Sequence, residues 1–287
     1  MKFHQKTAEI YIPDDAPLEE ALARTTHLCF AAHQDDIEIM AIAPILDCFQ
    51  RKDQWFTGVI LTDGRGSPRN GIYAKYDDED MRRVRFKEQR KAAMVGEYSA
   101  QIMFDYPSKV IKDGEDSAPI DDIFAILQAT NPQVVYTHNL ADKHATHVGV
   151  ALKVISAFRN RPDWFSKPIR SLPKIYGCEV WRGLDWMRDE EKITLNSSER
   201  DNLQSALLGI FDSQISGGKR YDLASIGRRL ANATYFASHN VDNTTGLSYA
   251  MDLTPLIENP NLDIQKYIKA FINHFSQDVG SLISSMI

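Results

Sequence analysis

Through the first 180 residues, short apolar runs alternate with segments of helical periodicity. The runs are 26–32 "THLCFAA", 56–62 "FTGVILT", 100–104 "AQIMF", 133–137 "QVVYT" and 174–181 "KIYGCEVW". Between them, residues 38–52, 79–96, 120–129 and 145–159 read as helices. In the second of these, Met81, Val84, Ala92 and Val95 share one side while charges fill the rest, so it should lie on a sheet with one face in water. Strands and helices in strict alternation build βαβ units, which predicts an α/β fold with a mostly parallel sheet flanked by helices.

After residue 182 the pattern turns helical, with candidates at 198–212 (Ser198 as N-cap), 222–237 and 262–284. No low-complexity linker separates this half. The expectation is a single domain over 1–287: an α/β core of about 22–182 with a largely helical C-terminal layer, about 183–287, appended to it. In the last segment Ile264, Tyr267, Ile268, Phe271, Phe275, Val279, Leu282 and Ile283 recur at helical spacing. That stripe should cover the core or, failing that, bury itself between subunits of a homo-oligomer.

Composition narrows the class. A hydrophobic share of 43% is ample for one core, and a formal charge of -6 without any Lys/Arg block argues against nucleic acid as a partner. No run of about 18 apolar residues is present to span a bilayer, and the first residues lack an apolar signal region, so the reading is cytoplasmic with no membrane partner. Cys29, Cys48 and Cys178 are odd in number, lack C-x-x-C spacing and sit in apolar contexts, as buried thiols do.

Two polar clusters interrupt the apolar pattern. "AAHQDD" places His33, Asp35 and Asp36 at the exit of the first run; "VVYTHNLADKHATHVGVA" places His138, Asp142, His144 and His147 at the exit of the fourth. In an open parallel sheet the carboxyl ends of the strands form the binding crevice, so both clusters should meet there. His144 and His147 are three apart and share a face if a helix begins near them. Imidazole and carboxylate donors suit a borderline divalent metal such as zinc; ferrous iron also accepts two histidines and one carboxylate. His33, one of the two aspartates and one histidine of the second cluster would make that set. The spare aspartate could take a proton from a metal-activated water, and the spare histidine could stabilise an oxyanion and protonate a leaving amine. Alone, each cluster is equally compatible with helix capping or a solvated loop; together they describe metal-assisted amide or ester hydrolysis.

The pair resembles the motifs of the PIG-L/LmbE-like deacetylases, approximately A-H-P-D-D-(E/I) and N-x-x-D-x-H-x-D-H, which here read Ala32-His33-Gln34-Asp35-Asp36-Ile37 and Asn139 through His147. The resemblance implies a Rossmann-like fold and zinc-dependent removal of an N-acetyl group from a small amino sugar or its conjugate. By it, His33, Asp36 and His147 would bind the metal, Asp35 would be the general base, and His144 the electrophile and proton donor. "LTDGRGS" and "RFKEQRKAAMVGE" resemble a family loop and helix, which makes Arg85 a candidate substrate contact with Glu88 as its partner. Asp142 is a second candidate contact. Gln34 stands where the family has proline. Thr146 replaces an acid between the last two histidines, and Asp142 could take over if that acid orients one of them. "ALLGIFDSQ" extends the likeness to about residue 215.

Further on, "GGKRYDLASIGRR" offers Lys219, Arg220, Arg228 and Arg229 to a phosphorylated substrate. The competing functions are amidase action on a larger thiol or glycoside conjugate and a non-catalytic sugar-binding module. No G-x-G-x-x-G follows the first run and no G-x-S-x-G elbow exists, which argues against dinucleotide binding and serine hydrolysis.

Overall fold

The computed structural model describes residues 1–159, 172–237 and 239–287. Five of the expected runs are strands: β2 (His27–Ala31), β3 (Phe56–Thr62), β4 (Ala100–Tyr106), β5 (Val134–His138) and β6 (Lys174–Cys178). They follow β1 (Glu9–Tyr11) and precede β7 (Lys192–Asn196) and β8 (Leu247–Asp252), none of which the apolar pattern marks. The eight form one sheet in the order β1-β4-β3-β2-β5-β6-β8-β7. The central five are parallel, and antiparallel pairings add β1 at one edge and β8 then β7 at the other. The fold is α/β, as the alternation requires.

The helices before residue 160 are α1 (Leu18–Ala23), α2 (Asp36–Met40), α3 (Ile42–Cys48), α4 (Asp78–Val95), α5 (Ser108–Lys112), α6 (Ala118–Thr130) and α7 (Ala145–Arg159). The single helix expected over 38–52 is broken in two at Ala41 (φ -112°, ψ 26°). The ring of Pro44 would collide with the carbonyl of Met40 in an unbroken helix. Beyond β6 come α8 (Asp201–Gly209), α9 (Asp212–Ile215), α10 (Tyr221–Tyr235), α11 (Pro255–Glu258) and α12 (Ile264–Ser284). Ser198 does not cap α8: the preceding residue is Arg200, in a left-handed conformation.

One apolar core lies on each face of the sheet, one built around Phe30, Ile102, Phe104 and Phe158 and the other around Ile37, Ile60, Phe86 and Phe211. The C-terminal half is more than a helical cover, since β8 and β7 extend the sheet itself. The α12 stripe divides. Ile264, Tyr267, Ile268 and Phe271 pack on the core, whereas Phe275, Val279, Leu282 and Ile283 face solvent, so the expectation that the whole stripe covers the core fails beyond the second turn. No helix among the described residues is long and apolar enough to cross a membrane.

Candidate metal centre and active site

The chain leaves β2 toward β3 on one side, and later β5 pairs with the other side of β2. The strand order therefore reverses between β2 and β5, and the loops that follow these two strands diverge there and open a crevice. The first carries His33, Asp35 and Asp36; the second carries Asp142 and His144 and runs into α7 with His147.

Three donor atoms converge in that crevice. His33 Nδ1 stands 3.1 Å from Asp36 Oδ2, and His147 Nε2 lies 3.3 Å from each of them. Donors bonded to one tetrahedral ion at ~2 Å are ~3.3 Å apart, so the spacing fits a shared divalent cation. Among the described residues this trio is the one group of histidine, cysteine and acidic side chains so arranged. Asp36 is fixed by accepting the His33 backbone N–H at 2.7 Å. Burial alone would raise its pKa, but the His147, His33 and His138 rings override it and hold the carboxyl well below the usual range. Burial likewise opposes charge on His147, yet Asp36 and Asp142 push that ring up to about 9.

The residues around the trio have separate tasks. His138 is fully buried, stacked on His147 with ring centres 3.9 Å apart, and accepts the Ala32 N–H at 2.9 Å. It props the end of β2, and burial keeps it well below the ordinary histidine range. Asp142 does not line the crevice. Its carboxylate accepts backbone N–H bonds from His144 (2.9 Å) and Trp181 (3.0 Å) and sits 3.6 Å from His147 Nδ1, a buried nitrogen without a hydrogen-bond partner among the described residues. The geometry therefore turns Asp142, expected among the substrate contacts, toward the back of a histidine. His144 projects beside the trio, its ring 5.1 Å from His33 and 4.6 Å from His147, and burial with His147 lowers its pKa.

Asp35 sits in the crevice wall with φ +93°, a conformation non-glycine residues rarely adopt. A rack on α4 maintains it. Gln89 accepts the Asp35 N–H at 3.3 Å and in turn donates to Glu38 and Gln101. Arg85 donates to the Gln34 carbonyl and stands 3.4 Å from Asp35 Oδ2. Burial drives Asp35 up to about 7 despite the guanidinium. Arg85 is itself buried, between Asp35, Glu88 and Ser213, with Glu88 accepting both N–H and O–H of Ser213. The loop after β3 closes over this rack at Gly64 (φ +70°), where a Cβ would meet Gln34 Oε1 at 2.6 Å. Only glycine fits there.

Above the trio opens a cavity of about 780 Å³, walled by Gly64, Ser108, Lys143, Trp181, Lys219, Tyr221 and Arg228, among others. Trp181 escapes a reading of the sequence because it stands as the last apolar position of the β6 run; its N–H in fact bonds Asp142 and its ring faces His144 at 6.3 Å. Of the four cations expected to serve a phosphate, Lys219 and Arg228 line the cavity. Arg220 instead pairs with Asp222 on the surface, and buried Arg229 donates to the Glu38 and Ile39 carbonyls at the carboxyl end of α2.

Residues 28–158, from β2 through α7, match the family model described as PIG-L: GlcNAc-PI de-N-acetylase. This stretch is a PIG-L family domain. It contains all the convergent residues, while Trp181, Lys219 and Arg229 lie outside it. Solved structures show the same fold around the PIG-L domain. The 4-carboxy-2-hydroxymuconate hydratase GalB from Pseudomonas putida is 15% identical with a TM-score of 0.62, over 80% of this chain and 96% of that one. The conserved protein TT1542 from Thermus thermophilus is 15% identical with a TM-score of 0.59, over 83% and 99%. An N,N'-diacetylchitobiose deacetylase from Pyrococcus horikoshii is 14% identical with a TM-score of 0.55, over 78% and 83%. Among curated proteins, none matches the sequence significantly.

Proposed function

We propose that this chain is a zinc-dependent hydrolase that removes the acetyl group from a small N-acetylated amino sugar or sugar conjugate. The observation that carries the reading is the convergence of His33, Asp36 and His147 within bonding reach of one ion, with Asp35 and His144 beside them at the floor of an open cavity. The family description, and neighbours named as chitobiose and teicoplanin deacetylases, support it. His33 Nδ1, Asp36 Oδ2 and His147 Nε2 would hold the metal, which when bound supplies a Lewis acid and lowers the pKa of a water.

The protein groups divide the remaining work. Asp35, facing the cavity, receives the proton of the attacking water as the C–O bond forms. Its strained backbone and the Arg85–Gln89 rack aim the carboxylate and keep it from swinging toward Asp36. His144, on the other side of the trio, donates toward the acyl oxygen and gives its proton to the departing nitrogen as the C–N bond breaks, and the proton taken up by Asp35 then restores it. The products are acetate and a free amine. A cavity of about 780 Å³ lies in the upper range of small-ligand sites, which favours a conjugate over a single ring.

Asp142 fits the role of orienting His147 in place of the acid that Thr146 lacks. Asp142→Asn is expected to weaken metal affinity ~10- to 100-fold, measured by competition with a chromophoric chelator, with the fold unchanged. Equal affinities would remove it from that role. Because the same fold carries a hydratase, the assay must detect amide cleavage itself. The decisive experiment combines metal analysis of the purified protein with acetate release from N-acetyl sugars, phosphorylated and not, and from larger amide conjugates. Release that stops on chelation and returns with zinc is the expected result. A fully metallated protein that frees acetate from none of them would refute the reading; recovery with ferrous iron alone would reassign the metal.

A further inference from the structure

Beyond its second turn α12 carries the same apolar stripe on into solvent. Its first two turns are anchored through Ile264, Tyr267, Ile268 and Phe271, and the Tyr267 hydroxyl donates to the Asp252 carbonyl at 2.7 Å. Farther along, Arg188 grips Asp278 through two hydrogen bonds of 2.6 and 2.7 Å, which fixes how the helix is rotated. On the side left open stand Ile272, Phe275, Val279 and Leu282, with Met286 in the turn just past the end of the helix, between 42% and 75% exposed. Counted from Ile268, these positions advance by four, three, four, three and four residues. That is the a/d seam of a heptad repeat, a narrow stripe whose natural complement is another helix.

Area and charge identify the occupant. With Ile283, the exposed seam residues amount to about three fully bared large apolar side chains. All but Phe275 are smaller than the aromatics that bury about 150–250 Å² each, so a two-fold pairing would cover about 500 Å² per copy and about 1,000 Å² in total, the least expected of a specific interface. From Ala270 to Ile287 the only Asp, Glu, Lys or Arg is Asp278, already neutralised by Arg188. Two such faces meet without like-charge repulsion, whereas a membrane-surface helix would present lysine or arginine beside its apolar face. We propose that α12 pairs with α12 of a second copy of this chain, making the protein a homodimer through the Ile272–Met286 seam.

Sedimentation equilibrium of the full chain at micromolar concentration tests it. The wild type should run at twice the mass of one chain and the double variant Phe275→Glu/Leu282→Glu at one, with circular dichroism and metal content unchanged. Should the double variant unfold, Leu282→Ser alone should raise the dimer dissociation constant at least about tenfold. A wild type of single-chain mass, or a folded double variant of dimer mass, would overturn the proposal. So would a monomeric wild type that pellets with phosphatidylcholine/phosphatidylglycerol vesicles.

Discussion

Asp35→Asn should fold, keep its metal and lose turnover by ~10²- to 10⁴-fold, the usual contribution of a positioned general base. Asparagine is the appropriate replacement because the site sits at φ +93°, and asparagine is among the few side chains that enter positive φ readily. The introduced amide would have the shape of the carboxylate without its basicity. Arg85 would keep Glu88 and the Gln34 carbonyl as partners, so the rack should stand. Acetate release, metal content and melting temperature measured on the same preparation separate the cases. Undiminished turnover would reject Asp35 as the base, and loss of metal would mean that it is a ligand. Unchanged sugar binding with no turnover in the wild type itself would favour a binding module instead.

His147→Ala should lower bound metal well below one per chain and abolish activity. It removes a donor atom from the trio and leaves Asp36 with less positive charge against its burial. Stripping one partner from a buried charged pair typically costs about 3 kcal/mol or more, so the variant should also melt earlier. Chelator provides an internal control. It should lower the melting temperature of the wild type, where metal binding stabilises the native state, and leave the variant unmoved. Full metal occupancy in His147→Ala would disprove its place among the ligands.

The parallel centre of the fold was legible because β2 to β6 are near-continuous apolar runs, and a strand covered on both faces has no other way to be written. The edge strands lack that signature. β7, "KITLN", is half-exposed along its length, β1 is three residues long, and β8 follows the turn-rich "NVDNTTG". Their pairing depends on partners far away in sequence. In the candidate site, the two motifs marked the side chains that meet because strand exits place them so. Their supports were legible only in part. The family likeness picks out Arg85 with Glu88, but as a substrate contact on what reads as a wet helix face; nothing local reveals that this face, with Gln89, is turned inward onto the Asp35 loop. The Trp181 backbone N–H donates to the Asp142 carboxylate across 39 positions, beyond any periodicity.

Arg229 has a consequence for how this chain can vary. Its guanidinium reaches from α10, outside the family-matched stretch, to the last carbonyls of the short helix that begins with Asp36. The tail is thus wired to the floor of the candidate site. Grafting a different C-terminal half onto the matched segment would retune the loop that carries Asp36 even if every motif residue were kept, so drift in one part constrains the other.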